Sequence, residues 1–140
     1  MELAVQAYYA RGPERLGAGG DFVTASDAGD AFGDAVAHQL LELDARLGAP
    51  DPFHLLELGC GRGLLARDVL DGLARRAPGL RARVRGVLAD SSPGMRAAAA
   101  ERVPEAEVVP PEEMPHGVTG CLVAVELFDA LPVHRLRRIG

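Results

Sequence analysis

Three glycines at alternate positions, Gly59, Gly61 and Gly63, interrupt the apolar stretch LLELGCGRGLL and constrain the chain more than any other feature. An apolar run from Leu55 to Leu58 leads in, and a helix-like run begins at Leu64. The pattern predicts a strand, a tight glycine loop and a helix start. Glycine has no Cβ, so the backbone can take positive φ and let a ligand lie against it, while the helix points free N–H groups at the same place. A nucleotide-type cofactor is the expected occupant. Dinucleotide folds use G-x-G-x-x-G, whereas the spacing here is G-x-G-x-G, with Glu57 two positions ahead of the first glycine. A carboxylate there would repel a pyrophosphate but could hold the ammonium of an amino-acid-bearing cofactor, and S-adenosyl-L-methionine answers that description. The competing reading is a glycine-rich turn with no ligand.

Around this loop the chain alternates between helical and extended periods. Phe32, Val36, Leu40, Leu43 and Leu47 form one stripe of a helix within residues 28–48, closed by Gly48 and by Pro50 and Pro52. Phe53 to Leu58 is predicted as the first strand, and Leu65, Val69 and Leu73 mark the helix after the glycine loop. A second strand is expected over Val84 to Ala89. Ser92 and Pro93 then cap a helix running to Arg102. Val108 and Val109 mark a third strand and Gly120 to Val125 a fourth, with residues 112–117 as loop. Before all of these, GDFVTAS (Gly20 to Ser26) predicts a short extended piece, with Ser26 or Asp27 able to cap the helix that follows. The alternation indicates an α/β fold, a doubly wound parallel sheet built from right-handed crossovers.

At 140 residues the chain suits one domain. A net charge of −5 argues against a general nucleic-acid surface. The basic residues are all Arg; Arg135, Arg137 and Arg138 cluster near the end, and Arg81, Arg83 and Arg85 would share one face of a strand. Cys60 and Cys121 do not make a disulfide framework, and neither they nor His38, His54, His116 and His134 show metal-ligand spacing. There is no basic leader followed by an apolar run and no stretch of membrane-spanning length, so the expectation is a cytoplasmic protein without a membrane partner.

Ligands of such sheets sit beyond the carboxyl ends of the strands, where strand order reverses. Glu57, Asp90 and the pair Glu126 and Asp129 all fall there. Asp90 can accept hydrogen bonds from ribose hydroxyls, or else cap the following helix. Glu126 and Asp129 could orient a guanidinium or amine and help remove its proton, or else form a polar turn.

Taken together, GDFVTAS, FGDAV, LLELGCGRGLL, ADSSPGMR and VELFDALPVHRL resemble the MidA-like methyltransferase family, in the expected order and across residues 20–136. That family includes a mitochondrial complex I assembly factor that methylates arginine. The resemblance implies a Rossmann-like methyltransferase fold with S-adenosyl-L-methionine as methyl donor and a protein arginine as acceptor. Glu57, Gly59, Gly61 and Gly63 would hold the methionine part and Asp90 the ribose. Gly20, Asp21 and Thr24 would form a wall over the cofactor, and Glu126 and Asp129 would be catalytic. Residues 1–27 then form the loop and wall, 28–48 a helix and 53–140 the core of a single domain. Val125 stands where the family block has Asn, Cys60 where proline is frequent, and Asp90 where Glu is more usual. Family members are far longer, so the chain reads as an N-terminal part whose fourth strand has an uncovered edge in a 3-2-1-4 sheet. Two rivals are a non-catalytic cofactor-binding or assembly module and a nicotinamide-dependent oxidoreductase, which the glycine spacing and Glu57 disfavour.

Overall fold

Four apolar runs form the parallel strands of one sheet in the order β3-β2-β1-β4. The computed structural model describes residues 30–131 and 136–138. Gly20, Asp21 and Thr24, the extended piece within GDFVTAS, its capping residues and Arg135 lie outside the described residues. Strand β1 (Phe53–Leu58) is central. It pairs along its whole length with β2 (Val84–Ala89), from Phe53 opposite Val84 to Leu58 opposite Ala89. On its other side it pairs with β4 (Gly120–Val123), from His54 opposite Gly120 to Glu57 opposite Val123. The short β3 (Glu107–Val109) extends the sheet beyond β2. The expected strand order and the bounds of β1 and β2 hold. β4 ends at Val123, two residues short of expectation.

Successive residues of a strand face opposite sides, and the two sides meet different partners here. Phe53 and Leu55 of β1, with Val84 and Leu88 of β2, pack against the four α-helices of the described residues: α1 (Ala31–Arg46), α2 (Leu64–Arg76), α3 (Pro78–Arg83) and α4 (Pro93–Arg102). Leu56, Val87, Ala89 and Val109 line the opposite face, where Met114 and Val118 cover them. Topology explains the split. Strands β1 to β3 progress in one direction, then the chain returns to the far side of β1, and a right-handed connection in that direction must cross the other face. That connection carries Pro110, Pro111 and Pro115, which permit one 3-10 turn (Pro111–Glu113) and no longer helix.

Helices α1 and α2 approach closely because small residues line their contact. A Cβ on Gly33 would stand 2.3 Å from Cβ of Asp68, and one on Gly72 2.9 Å from Cβ of Ala37. Gly33, Ala37, Leu40 and Asp44 are therefore the buried line of α1. Leu47, expected at the end of the apolar stripe, is instead 41% exposed, because the helix stops at Arg46. Gly48, at φ 78°, turns the chain away as expected.

The arginines after α2 depart from the strand reading. Pro78 presets φ for the first turn of α3, and Leu80 buries itself below, so Arg81 and Arg83 are helical; only Arg85 lies on β2. Arg83 grips Asp44 of α1 with both ends of its guanidinium, at 3.0 and 2.7 Å. Arg81 reaches Glu105 at 2.9 Å, which also accepts from Arg67 at 2.8 Å.

Candidate functional site

The loop between β1 and α2 is left-handed at each glycine: φ is 76° at Gly59, 52° at Gly61 and 72° at Gly63. Side chains rarely tolerate this region, so the alternate spacing records a backbone requirement. Hydrogen bonds to the neighbouring strand hold the loop. The N–H groups of Gly59 and Cys60 both donate to the Ala89 carbonyl, at 2.8 and 3.0 Å, and Gly63 N–H donates back to Cys60 O at 2.9 Å.

The three glycines serve different neighbours. A Cβ on Gly59 would come within 2.9 Å of Leu127 Cδ1, and one on Gly63 within 3.2 Å of the Ala99 backbone of α4. At Gly61 no atom of the described residues lies within 4 Å of such a Cβ. The flanking glycines thus admit the protein's own atoms, whereas the central one faces space left open by the described residues.

Two carboxyl groups converge on this loop. Glu57 is 7% exposed and accepts the Ala66 N–H in the first turn of α2. Burial pushes its pKa up to about 8, the nearby Asp90 adds to the rise, and the Ala66 hydrogen bond opposes it. Desolvation therefore outweighs the hydrogen bond. Asp90, just past β2, accepts from Gly61 N–H through Oδ2 at 3.0 Å and from Ser92 N–H through Oδ1 at 2.8 Å. Ser92, not Asp90, is the N-cap of α4, its Oγ accepting from Met95 N–H. Each Asp90 oxygen retains acceptor capacity for a ligand. Between the two acids, Cys60 is buried, and desolvation first, then the charges of Glu57 and Asp90, push its thiol up to about 12. It is a packing group and not a nucleophile.

Beyond β4 the chain doubles back over the loop. Glu126 takes φ 52°, uncommon for a residue with a side chain, and Leu127 then lies against Gly59. Glu126 and Asp129 are both exposed, Asp129 within the 3-10 turn Phe128–Ala130. Leu127 is thus the residue of this segment that meets the glycine loop, and the two acids stand on either side of it in the sequence. Sequence reasoning missed the residues that hold this geometry. Arg96 donates to the Asp90 and Ser91 carbonyls at 2.7 and 3.1 Å, and Arg102 donates to the Arg62 carbonyl at 2.7 Å. The one signal was position: Arg96 closes the ADSSPGMR block and Leu127 lies inside ELFDALP. Among the described residues no cluster suited to a metal ion occurs.

Comparison with known proteins bears directly on this site. A family profile described as "Putative S-adenosyl-L-methionine-dependent methyltransferase" matches residues 35–140. The chain belongs to this family. A Drosophila melanogaster relative, "Protein arginine methyltransferase NDUFAF7 homolog, mitochondrial", is 33% identical over 96% of this chain. A Danio rerio relative, "Protein arginine methyltransferase NDUFAF7, mitochondrial", is 26% identical over the same share. This family member spans only 36% and 37% of those two proteins. Among solved structures, a Burkholderia thailandensis protein bound to S-adenosyl-homocysteine superimposes with a TM-score of 0.68 at 25% identity, covering 89% of this chain and 33% of that one. A second structure from that organism gives 0.64 at 26% identity, covering 93% of this chain and 34% of that one. The Rossmann-like methyltransferase fold is thereby established.

The expectation of a cytoplasmic protein is overturned, since relatives from fly, fish and Xenopus laevis are all named as mitochondrial. Compartment is set by addresses that receptors read and not by the packed fold, so composition was poor ground for it. Among the described residues no helix is long and apolar enough to cross a membrane.

Proposed function

We propose that this chain forms the cofactor-binding part of an S-adenosyl-L-methionine-dependent methyltransferase whose acceptor is a protein arginine. The observation that carries this reading is the open space at Gly61, set between Glu57 and Asp90 at the point where the sheet order reverses. The residues fit the cofactor's chemistry. A buried carboxyl matches an ammonium, a half-satisfied carboxylate matches a ribose diol, and a left-handed glycine loop leaves room for the methionine chain. The S-adenosyl-homocysteine-bound neighbour and the arginine-methyltransferase names of the relatives support the assignment.

When bound, S-adenosyl-L-methionine supplies a methyl group on a sulfonium, an electrophile that needs alignment more than activation. Glu57 holds the ammonium and gives up its proton to do so. Asp90 accepts from the ribose while it keeps Gly61 and Ser92 in place. Gly20, Asp21 and Thr24 would add cofactor contacts to this single methyltransferase domain. Glu126 and Asp129 align the acceptor guanidinium through charge-assisted hydrogen bonds and draw off its proton.

Calorimetric titration of S-adenosylhomocysteine into this chain tests the cofactor assignment, with Gly61→Ala as the comparison. Binding by the wild type and its loss in a folded variant are expected; a folded wild type that does not bind refutes the reading. Transfer of labelled methyl to arginine peptides tests the second half. Glu126→Gln and Asp129→Asn should remove transfer and leave S-adenosylhomocysteine affinity intact.

A further inference from the structure

We propose that Arg96 is a positioning residue that sets Asp90 for ribose recognition, an inference that rests on the cofactor reading above. Asp90 is the first residue past β2, where the sheet no longer dictates the backbone. Two successive carbonyls, those of Asp90 and Ser91, converge on one nitrogen of the Arg96 guanidinium at 2.7 and 3.1 Å. A donor shared by consecutive carbonyls fixes the peptide plane between them, and with it the direction in which the Asp90 side chain leaves the chain.

The platform that carries this guanidinium is itself anchored. Arg96 sits one turn after the Ser92 cap, and its own N–H makes a 3.0 Å bond to Ser92 O. Its neighbour Met95 is 2% exposed, and Ala99, one turn on, is fully buried against Gly63. Helix α4 is thus seated on the glycine loop and reaches from there to the loop after β2. The Asp90 carboxylate completes the connection through its bond to Gly61 N–H. Among the described residues Arg96 makes no ion pair, so its hydrogen bonding is directed at these carbonyls and not at a carboxylate. An arginine holding only the fold together would have no reason to act on one part of the cofactor; this one acts on the carboxylate facing the ribose.

The test compares S-adenosylhomocysteine with its 2′,3′-dideoxy analogue, titrated into wild type, Arg96→Met and Arg96→Lys. Arg96→Met should weaken S-adenosylhomocysteine binding about tenfold, the scale of one charged hydrogen bond, and leave the dideoxy analogue within about twofold of wild type. Arg96→Lys keeps a donor for the carbonyls and should recover most of the loss. An equal loss for both ligands, or none for either, overturns the proposal. If Arg96→Met does not fold, Arg96→Lys carries the comparison alone: a loss of about threefold confined to the hydroxyl-bearing ligand supports the proposal, and an unselective loss or none refutes it. A folded wild type that binds neither ligand refutes the cofactor reading and this inference with it, whereas wild-type binding with an unselective Arg96 effect refutes this inference alone.

Discussion

Replacing Glu57 with Gln should stabilise the ligand-free protein while weakening its hold on the cofactor, and the gain should depend on pH in a defined way. The native carboxyl keeps its proton up to about pH 8, against 4.5 for an unperturbed glutamate. Between these values the folded state binds a proton that the unfolded chain releases, so stability is highest below 4.5 and falls as pH rises toward 8. The slope approaches about 1.4 kcal/mol per pH unit, which puts the cost at pH 7 near 3 kcal/mol as an upper figure. Against a typical total of about 5–15 kcal/mol, that is a large share. Gln has nearly the same shape, still offers an oxygen to the Ala66 N–H and has no proton to retain. The stability difference between Glu57→Gln and wild type should therefore widen by roughly 2–3 kcal/mol from pH 5 to pH 7. Any constant penalty from the new amide N–H groups cancels in that comparison. Urea unfolding of both proteins at pH 5, 6 and 7, with equal m-values, gives the measurement. A difference that does not change with pH would show that Glu57 is not held protonated by burial, and the reasoning would fail.

Gly63→Ala combines a left-handed φ of 72° with a Cβ only 3.2 Å from the Ala99 backbone, and should cost about 2 kcal/mol or more, read from the urea midpoint. Gly61→Ala has the same backbone penalty but no clash, so it should cost less, about 1 kcal/mol. The reverse order would contradict the assignment of Gly61 to the open space. Asp90→Asn can keep one acceptor but opposes a second donor to Gly61 N–H, and should weaken S-adenosylhomocysteine binding at least about tenfold by calorimetry. Cys60, buried with its thiol pushed up to about 12, should resist iodoacetamide at pH 7.5 in the native protein and react only on unfolding, as followed by mass spectrometry.

Much of this arrangement was legible because it is local. Strands β1 and β2 begin and end where their apolar runs do, and each alternate glycine takes the left-handed backbone its spacing announced. Ser92 followed by proline is a cap whose partners lie within four residues. The order β3-β2-β1-β4 was less direct: it came through the resemblance, supported by the connection rule, and the sheet agrees. The helical place of Arg81 and Arg83, which precede the strand expected from Val84, was not legible, because their alternation carries no helical period. The proline at Pro78 and the burial of Leu80 decided the matter.

The sequence by itself determined the elements, the glycine loop and the acidic groups at its edge, since each depends on backbone preference or periodicity within a few residues. Only the tertiary structure decided what those groups do. Asp44 meets Arg83 across 39 positions, Asp90 reaches Gly61 across 29, and Arg102 reaches the Arg62 carbonyl across 40. The raised pKa of Glu57 follows from water excluded by α2 and the adjoining strands, and the open space beside Gly61 from how the described residues pack around it. Burial and emptiness are sums over the whole packed chain, and no short window of sequence contains them.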